Sequence, residues 1–295
     1  MEALVICIVH MIPTTNIGRL GVKCSSVWFI NPTNRSGRTS TKERFMQNFP
    51  PVSHTALITG VSRPLGLGFA VARQLAEKNY HVILAARDEA QADKLAEELR
   101  GEGLSASALR LDLADQSSIR NAAGRLASMI EHLDVLVNNA SAMPDFRTRS
   151  AFDVDLDALH MAFEVKVFGC WGLIQALLPL LQRAPAARIV NVSSAAAQQI
   201  GQRGPGPLFS PAYSLANHTL NALTTTLAGV LADTPILINA VDPGSVASHP
   251  ERGDDADDRS PSEAAKGVVW AATLDPQGPR GGLFFDGKPV SVPTL

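Results

Sequence analysis

From residue 54 onward the chain alternates short apolar runs with longer segments in which apolar residues recur every three or four positions. The runs Thr55–Thr59, His81–Ala86, Ala106–Leu111, Asp134–Asn138, Arg188–Val192, Leu237–Val241 and Gly282–Phe285 have strand length and little internal alternation. That texture predicts strands covered on both faces. Phe69–Lys78, Ala90–Arg100 and Ile119–Ile130 carry the helical spacing between them. Strands alternating with amphipathic helices predict an α/β fold, a doubly wound parallel sheet built by right-handed crossovers. No repeat and no second compositional regime follows residue 54, so residues 54–295 read as one domain.

Composition narrows this picture. Hydrophobic residues make up 45% of the 295 and charged residues 18%, enough apolar content for a sizeable core. With 26 Lys+Arg against 28 Asp+Glu, the net charge of −2 leaves no basic surplus for the phosphates of a nucleic acid. Cys7, Cys24 and Cys170 cannot build a disulfide framework and lack metal-ligand spacing. A stapled, secreted fold is therefore excluded, and a reduced, cytoplasmic compartment is expected. His54, His81, His132, His160, His218 and His249 are scattered singly and suggest no metal site.

Residues 1–50 differ in character. Six basic residues (Arg19, Lys23, Arg35, Arg38, Lys42, Arg44) face two acidic ones (Glu2, Glu43), so the remainder of the chain is net acidic. The stretch is rich in Ser, Thr and Asn, has no sustained period and ends in Pro50-Pro51. Its apolar run Leu4–Ile12 falls short of the ~20 residues of a membrane span. Glu2 stands where a signal peptide carries positive charge. The expectation is a disordered extension over 1–53, with Met46 as a natural beginning. An acid-poor, Arg- and Ser-rich leader also fits an organelle transit peptide.

The strand Thr55–Thr59 runs into Gly60-Val61-Ser62-Arg63-Pro64-Leu65-Gly66-Leu67-Gly68, and a helix follows. Glycines there permit a tight turn and close approach of a pyrophosphate, which the N–H groups at the helix start can receive. The alternative is a glycine-rich turn that serves only helix–strand packing. Strand, loop, helix and a second βα unit in sequence favour dinucleotide binding.

These residues resemble the TGxxxGxG fingerprint of the short-chain dehydrogenase/reductase family, and the likeness runs from about residue 54 to 290. The fold it implies is a Rossmann-like seven-stranded sheet. Here five residues, not three, separate Gly60 from Gly66. A register with Pro64 in the middle-glycine place would keep three. The two-residue insertion is preferred, because Gly66-Leu67-Gly68 then joins Phe69-Ala70-Val71-Ala72 as the family's helix does. Other landmarks follow in family order. Asp112, within Leu111-Asp112-Leu113, resembles the acid that contacts adenine. Asn138-Asn139-Ala140-Ser141 resembles the NNAG stretch, with Ser141 for the last glycine. Pro243-Gly244-Ser245-Val246 resembles the turn facing the nicotinamide, and Ser248 takes the place of a common Thr.

Cofactor choice turns on the end of the second strand, where an acid favours NAD and a cation accommodates the 2′-phosphate of NADP. Ala85-Ala86-Arg87 ends in a cation, Arg63 offers a second, and Asp88 lies one residue past the usual acidic place. NADP(H) is expected. A solvated Arg87-Asp88 surface pair is the plainer reading.

The resemblance implies a tetrad of Asn, Ser, Tyr and Lys, in which the tyrosine exchanges a proton with the substrate oxygen and the lysine lowers its pKa. Ser194 and Tyr213 match, with Ser193 expected to cap the strand end. The other two positions depart: Lys166 stands where Asn belongs and Asn217 where Lys belongs. Four readings follow. Lys166 restores a cation near Tyr213 or its proton-relay water; or the tetrad has decayed and Lys166 points to solvent or Glu164; or the chain is an NADP-binding or sensing module; or it performs non-redox cyclisation or isomerisation. The first is preferred, an NADP(H)-dependent interconversion of a carbonyl and a secondary alcohol.

The loops Asp145–Asp155 and Ser245–Arg259 are expected to flank the substrate pocket, and Gln198–Phe209 to shape its mouth. Glu251, Asp254, Asp255, Asp257 and Asp258 make the second loop acidic. It is read as a solvated face and a plausible lid, closed by the capping box Ser260-Pro261-Ser262-Glu263. The segments Leu156–Leu181 and Tyr213–Leu231 are apolar over more than one helical face. The resemblance implies that they pair in a homodimer or homotetramer.

Overall fold

A computed structural model describes residues 54–200, 207–248 and 257–291. In chain order the sheet and its covering helices are β1 (His54–Thr59), α1 (Leu67–Glu77), β2 (Tyr80–Ala86), α2 (Glu89–Gly101), β3 (Ala106–Arg110), α3 (Gln116–Met129) and β4 (Val135–Asn138). There follow α4 (Leu156–Phe163), a π-helical segment (Glu164–Gly169), α5 (Cys170–Leu181), β5 (Arg188–Val192) and α6 (Pro211–Val230). The last elements are β6 (Leu237–Val241), α7 (Pro261–Ala272), β7 (Leu283–Phe285) and β8 (Lys288–Pro289).

The sheet order is β3-β2-β1-β4-β5-β6-β7-β8. Every pairing is parallel except β7 with β8. Strand order reverses between β1 and β4, which opens a crevice beyond the carboxyl ends of the strands. Alternate residues of β1 feed two cores. Leu57 joins Leu109, Leu126, Leu136, Leu173 and Ile238 on one face. Ala56 and Ile58 join Val71, Leu75, Leu95, Leu99 and Val268 on the other. Both sets are fully or nearly fully buried, which is why the strands read as unbroken apolar runs.

Two features depart from the sequence reading. An eighth strand is added to the seven expected. Asp286 (φ 47°) and Gly287 (φ 75°) form a two-residue turn that folds β8 back antiparallel on β7. The expected helix Leu156–Leu181 is also not one regular α-helix. Its middle is π-helical, where Gly169 presses against the loop after β3: a Cβ there would stand 2.3 Å from the Leu113 carbonyl oxygen. By length and composition Leu156–Leu181 could cross a membrane, yet Cys170, Leu173, Leu177 and Leu181 are buried in the core.

Candidate active site

The glycine loop is built by close approach. Gly60 has φ +73°, and a Cβ on it would lie 2.6 Å from the Ala140 Cα. Ser62, Arg63, Pro64 and Leu65 are exposed, and the Gly66 N–H closes a turn onto the Arg63 carbonyl at 3.1 Å. That turn absorbs the two inserted residues. Gly66 is the N-cap of α1, Leu67 its first residue, and Gly68 abuts Asn139, whose Nδ2 would stand 2.6 Å from an added Cβ. Asn139 Nδ2 donates to the Thr59 carbonyl at 2.8 Å, and the Ala140 N–H donates to Thr59 Oγ1 at 3.0 Å. The end of β4 thus straps the loop in place.

The start of α1 has no side-chain cap and no acid in its first turn. Asp88, Asp115, Asp155 and Ser260 cap α2, α3, α4 and α7. Helix α1 therefore keeps its N–H groups and positive dipole end for an anion. Arg87 is exposed at the end of β2 and has no ion-pair partner among the described residues, whereas the Asp88 carboxylate is spent on the Ala90 and Gln91 N–H groups. Asp112 is half-buried, its Oδ1 accepting from the Ala114 N–H at 3.0 Å, and Leu113 is buried beside it.

Across the crevice, Gly244 (φ +73°) follows Pro243, and its N–H donates to Asp242 Oδ1 at 2.9 Å. Val246 bridges Arg259, and the Ser248 N–H donates to the Val246 carbonyl at 2.7 Å. Arg259 donates to the Pro243 carbonyl at 3.1 Å and to Asp286 Oδ1 at 3.0 Å, pinning the far end of the acidic loop to the Pro-Gly turn. Glu251, Asp254 and Asp255, residues 201–206 of the loop expected at the pocket mouth, and the whole of 1–53 lie outside the described residues.

Tyr213 stands in the first turn of α6 and is half-buried. Loss of solvent raises its pKa above the ordinary phenol value; hydrogen bonding from the Ser194, Ser141 and Asn217 side chains works against that, and the Asp242 charge adds to it. Ser194 Oγ accepts from the Ala196 N–H at 3.2 Å, so it caps the turn Ala195–Gln199 while reaching Tyr213. The cap expected of Ser193 is corrected accordingly: its hydroxyl is buried with no partner, and only its N–H is bound, to the Val241 carbonyl at 2.7 Å. Asn217 Nδ2 donates to the Tyr213 carbonyl at 2.9 Å, which leaves Asn217 Oδ1 buried without a donor.

The expectation that Lys166 brings a cation to Tyr213 is also corrected. Its ammonium donates to the Val192 carbonyl at 2.6 Å, and the charge acting on the tyrosine is that of Asp242. Lys166 is 3% exposed in the π-helical segment, and burial brings its pKa down to about 8. One turn on, Cys170 is core, its thiol pushed up to about 12 by burial and 3.5 Å from Asn191 Oδ1.

Sequence reasoning missed Asp145 as more than a loop boundary. Its Oδ2 accepts from the Ala212 N–H at 2.6 Å and its Oδ1 from the Tyr213 N–H at 3.4 Å, capping α6 from the loop after β4. Ser210 cannot do this itself, because it is held in the left-handed region at φ 45°. Ser141 was visible only as a substituted glycine, not as a partner of Tyr213.

The family model for short chain dehydrogenase matches residues 54–258. The chain belongs to the short-chain dehydrogenase/reductase family. It is 30% identical over 228 residues to Oxidoreductase UcpA of Salmonella typhimurium, covering 75% of this chain and 82% of that protein. It is 29% identical over 229 residues to human Dehydrogenase/reductase SDR family member 4, covering 78% and 76%. Among solved structures, a gluconate 5-dehydrogenase from Burkholderia cenocepacia in complex with NADP and tartrate superposes with a TM-score of 0.69 at 25% identity, covering 81% of this chain and 96% of that one. A short chain dehydrogenase from the same organism in complex with NADP gives 0.67 at 28% identity, covering 80% and 97%. The chain is thus an oxidoreductase of this family, built on its sheet and helices.

Proposed function

We propose that this chain is an NADP(H)-dependent reductase that interconverts a small-molecule carbonyl and its secondary alcohol. The observation that carries the reading is Tyr213 in the first turn of α6, its hydroxyl under the influence of the Ser194, Ser141 and Asn217 side chains, together with the uncapped, glycine-led helix α1. The residues present fit the cofactor. Gly60 and Gly68 let the loop close on Ala140 and Asn139 with no side chain of their own toward the phosphates, α1 offers its N-terminus to phosphate, and Arg87 and Arg63 are the cations for a 2′-phosphate. Buried Asn217 Oδ1 wants a donor, which a sugar hydroxyl would supply. Asp112, Leu113, Ala140, Pro243, Gly244, Val246 and Ser248 line the rest of the proposed site. The NADP bound to two of the similar structures supports the same choice here.

When bound, the nicotinamide supplies or accepts the hydride. The protein handles the proton. Ser194 donates to the substrate oxygen, and Tyr213 O–H transfers its proton to that oxygen as the carbonyl carbon is reduced, leaving an alcohol and a phenolate. Asn217 fixes the first turn of α6 through the Tyr213 carbonyl.

A second reading is favoured by one observation: among the described residues no cation acts on Tyr213, so the chain would be an NADP-holding module or a non-redox cyclase or isomerase. Mixing the purified protein with NADPH and a panel of aldehydes and ketones, read at the nicotinamide absorbance, tests both. Turnover abolished by Tyr213→Phe supports the reductase, and NADPH binding with no turnover supports the second reading.

A further inference from the structure

Lys166 is a buried ammonium without a carboxylate partner among the described residues. Such a group is expensive to keep, as its lowered pKa reflects. What it touches is specific. Strand β4 pairs with β5 only as far as Asn138 opposite Asn191. Two residues on, the Ser193 N–H is bound to the Val241 carbonyl of β6 at 2.7 Å. Across a trans peptide the carbonyl points opposite to the following N–H, so the Val192 carbonyl faces the β4 side, past the end of that ladder. It is a buried backbone acceptor with no strand left to pair it. The Lys166 ammonium takes that place at 2.6 Å.

Two residues beyond Val192 stands Ser194, whose Oγ and carbonyl receive the Ala196 and Ala197 N–H groups at 3.2 and 3.0 Å. The chain between them has one anchor toward β6, through Ser193, and one toward the helix layer, through Lys166. The π-helical segment is what delivers the second anchor. Gly169 seats it against Leu113, and Val167 packs it on Ala212 and Ala216 of α6.

We infer that Lys166 is a positioning residue, which completes the frayed end of β5 through the Val192 carbonyl and so fixes Ser194 against Tyr213. The inference rests on the reductase reading for its meaning in catalysis, but not for its physical content.

Lys166→Met keeps the length and removes the donor, and Lys166→Gln keeps a donor on a shorter arm. The measurement that decides is amide hydrogen exchange of residues 192–199, with and without NADPH, in the full-length protein. In Lys166→Met these amides are expected to exchange at least tenfold faster, with the remaining β-strands unchanged, and in Lys166→Gln to return most of the way. Where the parent turns over a carbonyl, Lys166→Met is expected to lower kcat while the alkaline limb of the pH profile stays where it was. Unchanged exchange in Lys166→Met overturns the inference, as does a limb that moves with the substitution, since that would make Lys166 an electrostatic partner of Tyr213. A parent without turnover defeats the reductase reading alone, because exchange still reports whether Lys166 holds the strand end.

Discussion

The Asp145 carboxylate receives the backbone N–H of Ala212 at 2.6 Å, a contact that joins the loop after β4 to the helix carrying Tyr213 across 67 residues. It substitutes for the missing side-chain cap of α6. Asp145→Ala is expected to lose about 1–2 kcal/mol of stability, the scale of a lost N-cap. It should also lower turnover, because the first turn of α6 sets the Tyr213 hydroxyl. Asp145→Asn keeps one acceptor and should lose less on both counts. Denaturant titration and steady-state kinetics of the two variants check this, and equal behaviour of Ala and Asn would refute it.

Tyr213 is expected to act as an acid over the whole neutral range. Its pKa is raised, chiefly by loss of solvent, so the hydroxyl stays protonated until the pH exceeds the ordinary phenol value of about 10. Carbonyl reduction should therefore be flat with pH through neutrality and fall only above that value. Alcohol oxidation needs the phenolate and should keep rising with pH over the same span. Tyr213→Phe removes the proton and should abolish both directions while NADPH still binds, as calorimetry would show. A reductase limb near neutrality would contradict the assignment.

The strands were legible because both faces of the sheet are covered, so runs such as Leu57-Ile58 carry apolar side chains to two cores at once. The two-residue β8 was legible too, since Asp286-Gly287 is a strong short-range hairpin signal. The π-helical segment was not. Its apolar spacing is that of an α-helix, and the segment sits where Gly169 closes on Leu113, a contact between distant parts of the chain. The identity of Lys166 and Asn217 was equally plain, but not their aim. Where the Lys166 ammonium goes depends on which strand ends first, and that is a property of the sheet's register.

Arg87 is expected to select the cofactor. It is exposed at the end of β2 while the neighbouring Asp88 is occupied as the cap of α2. Arg87→Asp should weaken NADPH binding at least ~10-fold, given about 1.5–3 kcal/mol for a charge-assisted phosphate contact. NADH binding should change much less. Calorimetry with both cofactors decides, and equal affinities in the unaltered protein would remove the preference altogether.

Self-association is expected through the outer faces of α4, the π-helical segment, α5 and α6. Leu156, Met161, Phe168, Trp171 and Leu215 are between 36% and 66% exposed there, and large exposed apolar residues gathered on one face mark interaction surfaces. Light scattering at micromolar concentration should give a dimer or tetramer. Phe168→Glu combined with Trp171→Glu should move it toward the monomer, and an unaltered protein that is monomeric would end this expectation.

His81 predicts how the fold responds to acid. It is wholly buried in β2 between the Ser105 and Ser107 hydroxyls, 2.8 Å from Nδ1 and 2.9 Å from Nε2. A neutral imidazole satisfies both hydroxyls, donating to one and accepting from the other, whereas the imidazolium would also have to shed its water. Burial, with the nearby Arg100 charge, brings its pKa down to about 4 from the ordinary 6.5. Between those two values the unfolded chain binds the proton that the folded chain refuses, so stability falls as pH drops from about 6.5 to 4 and levels off below. The integrated loss is about 3 kcal/mol, from about 1.4 kcal/mol per pKa unit. His81→Leu cannot take up that proton. It should unfold at a lower denaturant concentration at pH 7, yet have a shallower dependence on pH between 6.5 and 4 than the parent. A parent and variant whose midpoints fall in parallel over that interval would show that the acid sensitivity lies elsewhere.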